Sequence, residues 1–256
     1  MVRSRAAELK RDPAFAALRR SLEIYYEDAA RAQAMDALYA RFLKPGDVAF
    51  DIGSHVGDRI GSFRRLGASV VALEPQPLCA RAISALYAGD AGVTLLEAAC
   101  GADAGTLTLR INSTNPTVST ASAEFISASR GAAGWEHQVW DGSIAVPCTT
   151  LDGLIARYGL PAFTKIDVEG FEDRVLAGLS RPLPALSFEF TTIQRDVAAR
   201  CLQRLAELGS YGCDVALGES QRLAFNAFVS PAATAAHIAA LPHAANSGDV
   251  YCVLTR

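Results

Sequence analysis

The acidic side chains of this chain that could do chemistry stand where apolar runs end. "VAFDI" carries Asp51, and two glycines, Gly53 and Gly57, follow with Ser54, His55 and Val56 between them. "VVALEPQP" places Glu74 and Pro75 behind a second apolar run, and "VTLLEAA" places Glu97 and Ala98 behind a third. Further on, "TKIDVEGFED" gathers Lys165, Asp167 and Glu169, and "ALSFEF" carries Glu189. Charges inside apolar strands are costly unless they pair or face a polar cleft. Repeated strand after strand, the pattern marks a cleft lined by carboxylates.

The glycines let backbone come close to a ligand at a strand end. The loop lacks the three-glycine dinucleotide fingerprint, and Asp51 would repel a pyrophosphate laid on it. A ligand with a positive amino group suits Asp51 better; S-adenosylmethionine carries an ammonium, a sulfonium and no phosphate. Glu74 follows about twenty residues after the loop, the spacing at which a carboxylate accepts ribose hydroxyls in nucleoside-binding α/β folds. Glu97 and Ala98 would flank an adenine. On an extended strand Lys165, Asp167 and Glu169 point to one side, with Ile166 and Val168 on the other. A Lys165–carboxylate pair that orders the following turn is the structural alternative for Lys165 and Glu169.

The 256 residues are half apolar and one-fifth charged, enough for one α/β domain with a sizeable core. A net charge of −3 offers no basic surface for nucleic acid. The six cysteines form no C-x-x-C pair and no zinc spacing, so they read as small buried side chains in a reducing, cytoplasmic setting. The N-terminal residues lack the apolar core of a signal peptide. The Ala-rich stretch 232–245 holds Pro242 and two histidines, which makes it a poor membrane span.

Positioning the carboxylates requires strands that alternate with helices. Helical spacing over 14–43 predicts two helices ahead of the core, and Tyr25 and Tyr26 there suggest a homodimer surface. Strands are expected at 48–52, 69–74, 93–99, 106–111, 143–148, 163–168 and 185–190. Further strands are expected near 211–217, 224–229 and 250–255. Helices are expected at 59–66, 79–87, 151–158, 171–179 and 196–208. Residues 112–142 are polar, rich in Ser, Thr and Gly, and carry no readable period. The alternation implies a mostly parallel sheet covered on both faces, with ligands at the carboxyl ends of its strands.

"DIGSHVG", "LEPQP", "EAACGADAGTLTL", "VPCTTLDGLI" and "TKIDVEGFEDRVLAGL", in that order, resemble FkbM-type methyltransferases over about 43–189. Ser54-His55 replaces the Ala-Asn common in that family's loop. The resemblance implies a Rossmann-like class I methyltransferase fold: a seven-stranded, mostly parallel sheet with helices on both faces, an inserted hairpin and N-terminal helices. It implies one domain over 1–256, with 1–43 as a helical extension and 112–142 as a substrate-side insertion. It also implies S-adenosylmethionine as cofactor and a hydroxyl of a sugar or other natural product as acceptor.

Asp51, Gly53, Ser54, His55, Gly57, Glu74, Pro75, Glu97 and Ala98 are then the cofactor residues. Asp167 is the first choice of base, followed by Glu169 and Glu189, with Lys165 beside them. His137 is an outside candidate, and the two tryptophans could wall the acceptor. Mg²⁺ between Asp167 and Glu189 is a secondary option, since one pair of acids does not complete an octahedral site. A cofactor-binding protein without turnover and a dinucleotide-dependent oxidoreductase are the alternative functions.

Overall fold

The apolar run that ends in Asp51 becomes the central strand β1 (Val48–Ile52), almost wholly buried. The computed structural model describes residues 1–255 and builds two sheets around it. The other strands are β2 (Ser69–Leu73), β3 (Val93–Leu96), β4 (Ala99–Cys100), β5 (Gly105–Ile111), β6 (Gly142–Thr149), β7 (Phe163–Ile166), β8 (Ala185–Thr191), β9 (Tyr211–Leu217) and β10 (Ser247–Leu254). The seven-stranded sheet has the order β3-β2-β1-β7-β8-β10-β9. Only β10 runs antiparallel, against both β8 and β9. Strand order reverses beside β1, because β2 and β7 flank it on opposite sides, and that is where an open α/β sheet leaves a crevice.

The helices are α1 (Val2–Arg11), α2 (Arg19–Glu27), α3 (Ala29–Tyr39), α4 (Asp58–Arg65), α5 (Pro77–Leu86), α6 (Ala123–Ser129), α7 (Leu151–Tyr158), α8 (Glu172–Ala177), α9 (Arg195–Leu208) and α10 (Pro231–Ala240). Two apolar cores lie on opposite faces of the sheet. The N-terminal helices belong to the first of them. Tyr39 packs edge-on against Phe63 at 4.8 Å, and Phe42 stacks on Phe163 at 5.0 Å. Tyr26 is buried and donates its hydroxyl to the Val56 carbonyl at 2.7 Å, so it is used within the chain rather than as an outer face for a second copy. The helical extension expected over 1–43 begins with α1, whose Ala6 and Leu9 enter the same core.

The third expected strand divides. Residues 93–96 pair with β2, whereas 99–100 pair with β6 in a separate three-stranded sheet of order β4-β6-β5. β5 and β6 form the inserted antiparallel hairpin. Residues 112–141 connect its strands and fold back over the carboxyl ends of the main sheet. They contain a 3₁₀ turn, Pro116–Val118, and helix α6, neither of which showed a period in the sequence. The expected strand at 224–229 is reduced to single bridges at Leu223 and Val229, and helix α10 occupies part of the Ala-rich stretch. Among the described residues, no helix is long and apolar enough to cross a membrane.

Gly53 has φ +83°, and a Cβ built on it would lie 1.8 Å from the Asp167 carbonyl oxygen. The ends of β1 and β7 therefore meet closer than any side chain permits. Gly53→Ala combines a backbone clash with a left-handed φ, and should cost more than about 2 kcal/mol, or roughly 4–8 °C in Tm. An unchanged thermal melt would show that the two strand ends are not held so close.

Candidate active site

One cavity at the carboxyl end of the sheet gathers most of the residues read from the sequence. Asp51, Gly53, Ser54, His55, Glu74, Pro75, Ala98, Lys165, Asp167, Glu169 and Glu189 all line it. Gly57 and Glu97 do not. Gly57, at φ +79°, forms the left-handed start of α4. Glu97 is exposed, because the chain leaves β3 at Leu96 and turns toward β4, and only Ala98 reaches the wall. His137 is exposed and lies off the cavity. Trp135 and Trp140 pack edge-on against Phe125 at 5.2 and 6.1 Å, and Trp140 Nε1 donates to the Val118 carbonyl. They brace the covering segment from behind instead of facing an acceptor.

On the β1–β2 side, Asp51 is 1% exposed and its Oδ2 has no hydrogen-bond partner. Burial, and then the neighbouring Asp58 charge, push its carboxyl up to about 7. Ser54 Oγ donates to the Asp51 carbonyl at 2.9 Å and closes the turn. Glu74 is 2% exposed. Its Oε2 accepts the His55 backbone N–H at 2.7 Å, and its Oε1 accepts the Gln76 N–H at 2.8 Å. Burial raises it to about 7 despite those bonds. Each oxygen keeps a free lone pair, as a carboxylate that receives two vicinal hydroxyls must.

On the β7–β8 side, Lys165 is 1% exposed and its Nζ lies 3.0 Å from Asp167 Oδ2 and 2.6 Å from Asp249 Oδ1. The Lys165–carboxylate pair offered as the structural alternative does form, with Asp167 and Asp249 as its acids, while Glu169 takes no part in it. Strand β7 stops at Ile166, and Glu169 takes φ +57°, so the period-two alternation ends before it. The turn is ordered instead by Glu172, a residue given no role from sequence. Its carboxylate accepts the N–H groups of Val168 at 3.0 Å and Gly170 at 3.3 Å.

Burial pushes Asp167 up, but Lys165 and then Arg59 outweigh it and hold the carboxyl below its ordinary range. Glu169 and Glu189 have no such partner. Burial and the Asp167 charge lift both well above the usual carboxylate range. Oxygen atoms of Asp167, Glu169 and Glu189 lie within 4.8 Å of one another. Three hard oxygen donors suit a divalent cation, although Lys165 already supplies a positive charge to Asp167.

No motif or spacing marks the third wall. Tyr25, Asp58, Arg59 and Glu219 line it, with Arg59 bonded to Asp58 at 2.6 Å and to Glu219 at 3.1 Å. Arg31 joins the same network from α3. Burial raises Asp58, but Arg59 and Arg31 prevail and hold it at about 2. These residues come from four separate segments, and no spacing links them.

Asp51 at about 7 has a consequence for stability. Its folded pKa lies above the unfolded one of about 3.8, so the folded state holds the extra proton. That stabilisation is full below about pH 4 and is lost as pH rises toward 7. Asp51→Asn should therefore raise the Tm of the ligand-free protein at pH 7.5, by a gain that shrinks toward pH 5. Thermal melts at the two values test this, and equal melts for both proteins at pH 7.5 would refute it.

A family model described as "Methyltransferase FkbM domain" matches residues 51–210. No curated protein sequence matches the chain. Among solved structures, an O-methyltransferase from Bacillus cereus in complex with SAH is 11% identical, with 98% of this chain and 91% of that chain covered and a TM-score of 0.46. The precorrin-6y C5,15-methyltransferase of Geobacter metallireducens is 13% identical, covers 88% and 87%, and has a TM-score of 0.44. The O-methyltransferase TomG of Streptomyces achromogenes, in complex with SAM, is 9% identical, covers 96% and 91%, and has a TM-score of 0.42. The family match spans more than half of the chain and includes both the glycine loop and the turn that carries Asp167, so this chain belongs to the FkbM methyltransferases.

Proposed function

We propose that the protein methylates a hydroxyl of a small molecule, a sugar or other natural product, with S-adenosylmethionine as donor. The observation that carries this reading is one cavity that joins a free Asp51 oxygen and a doubly supported Glu74 to an ionised Asp167. The cofactor supplies an electrophilic methyl on a sulfonium. Asp51 fits the amino group of its methionine end, because an ammonium is what an unpartnered buried carboxylate lacks. Glu74 fits the two ribose hydroxyls, and Ala98 offers a small apolar wall for the base.

Asp167 is the member of the acceptor-side trio that is ionised near neutral pH, so it can accept the hydroxyl proton as the acceptor oxygen gains the methyl. Lys165, held on its other side by Asp249, fixes its orientation. Glu169 and Glu189, pushed upward by burial and the Asp167 charge, can in their protonated form donate hydrogen bonds to further oxygens of the acceptor. In-line alignment of nucleophile and methyl supplies the rest of the acceleration. Mg²⁺ is not required by this arrangement, since Lys165 already provides the positive charge beside the base.

Calorimetry with S-adenosylhomocysteine (SAH), with NADH as control and each run repeated with Mg²⁺, tests the cofactor. Saturable binding of SAH alone is expected. Asp51→Ala should weaken it about 10- to 100-fold, the 1.5–3 kcal/mol typical of a charged hydrogen bond. Binding of NADH instead would make the site a dinucleotide site. Asp167→Asn should leave SAH affinity near that of the wild type and lower turnover about 10²- to 10⁴-fold. Full activity in that variant would move the base elsewhere in the trio.

A further inference from the structure

His55 stands in the glycine loop, but its ring turns away from the loop's own strand. Its Nε2 lies 2.8 Å from Ser21 Oγ on α2 and 3.3 Å from Thr117 Oγ1 in the covering segment. Those two hydroxyls are 3.5 Å apart, so imidazole and hydroxyls form one three-cornered junction. The ring packs edge-on against Tyr25 at 6.1 Å. Burial lowers the imidazole to about 4, which keeps it neutral and able to share a single N–H with these partners. The backbone at His55 is left-handed, at φ +48°, and that conformation aims the ring at α2 and the cover.

A second link reaches the same place. Gln76 Nε2 donates to the Pro116 carbonyl at 3.0 Å. Pro116 and Thr117 belong to one 3₁₀ turn, Pro116–Val118, and Thr117 and Ser119 line the cavity. His55 and Gln76 are also the two residues whose backbone N–H groups hold the Glu74 carboxylate. Each therefore faces both ways: its main chain grips the carboxylate read as the ribose acceptor, and its side chain grips the turn that covers the acceptor side. A shift of the Glu74 carboxylate on binding hydroxyls would be passed to two adjacent residues of that turn, to Pro116 through Gln76 and to Thr117 through His55.

We propose that His55 and Gln76 are positioning residues that couple occupancy of Glu74 by the cofactor's ribose to closure of the 116–118 turn over the acceptor. The coupling rests on the cofactor reading above. It makes binding ordered, with the cofactor first and the acceptor into a site whose cover the cofactor has already fixed. Coupling of two sites through a shared element is reciprocal, so an acceptor held under the turn also tightens binding of the cofactor by the same factor.

Hydrogen–deuterium exchange of the full-length protein, with and without SAH, tests this. The amides of Val118 and Ser119 are bonded inside the turn, to Asn115 and Pro116. In the wild type, SAH should slow exchange across 112–122 roughly fivefold or more, the low end of coupling between linked sites. The double variant Gln76→Met, Thr117→Val removes both links without adding charge. It should still bind SAH, and the SAH-dependent protection should disappear, while Thr117→Ser alone keeps it.

A merely structural role would loosen the turn equally in the free and bound states and leave the difference between them intact. Persistence of the SAH-dependent difference in the double variant would overturn the proposal. So would SAH binding to the wild type with no added protection, an outcome that leaves the cofactor reading standing. Failure of the wild type to bind SAH would remove that reading and this proposal together.

Discussion

The approach of Gly53 to the carbonyl of Asp167 is the contact on which the site depends. It exists because β1 and β7 are parallel neighbours at the point where the sheet reverses its strand order, and because position 53 carries no Cβ. Any side chain there would push the two strand ends apart. Asp51 lies on one side of the contact and Lys165, Asp167 and Glu169 on the other. The distance between the Asp51 side and the Asp167 side of the cavity is thus set by one backbone contact, fixed by the sheet.

A cavity lined by so many carboxylates must manage their charge. Some are paired: Asp58 with Arg31 and Arg59, and Asp167 with Lys165. Others stay buried without a cation, and their proton affinities rise accordingly, as in Asp51, Glu169 and Glu189. The division is functional in kind. Paired carboxylates are ionised and can take a proton or hold a network, whereas unpaired ones either wait for a positive ligand or act as donors. Lys165 achieves the separation by bridging Asp167 and Asp249, so one buried ammonium decides which of three neighbouring acids is held below its ordinary range.

From sequence the N-terminal helices are an extension and 112–142 a substrate-side insertion, neither with a motif that says what it touches. In the folded chain they share a function as walls of one cavity. Tyr25 from α2, and Thr117 and Ser119 from the connection, line it, and the imidazole of His55 joins the two walls. A family loop with a shorter side chain at that position would lack the reach to touch both hydroxyls.

The residues at strand ends were legible from the sequence because both signals involved are local. An acid after an apolar run announces a strand end, and a glycine pair announces a close approach. These sufficed for the α/β class with a mostly parallel sheet and for Asp51, Glu74, Asp167 and Glu189 at strand ends, whereas the count of seven strands rested on the family resemblance. Glu97 escaped that logic, since β3 ends early when its continuation pairs with β6, a choice made by a strand some fifty residues away. The Arg31–Asp58–Arg59–Glu219 wall, the Lys165–Asp249 pair and the junction at His55 were invisible for the same reason. Each joins residues from segments far apart in the chain, and no periodicity or spacing encodes which of them meet. Sequence alone determined which residues end the strands; which of those strand ends share a cavity, and which charges neutralise one another there, was decided by packing.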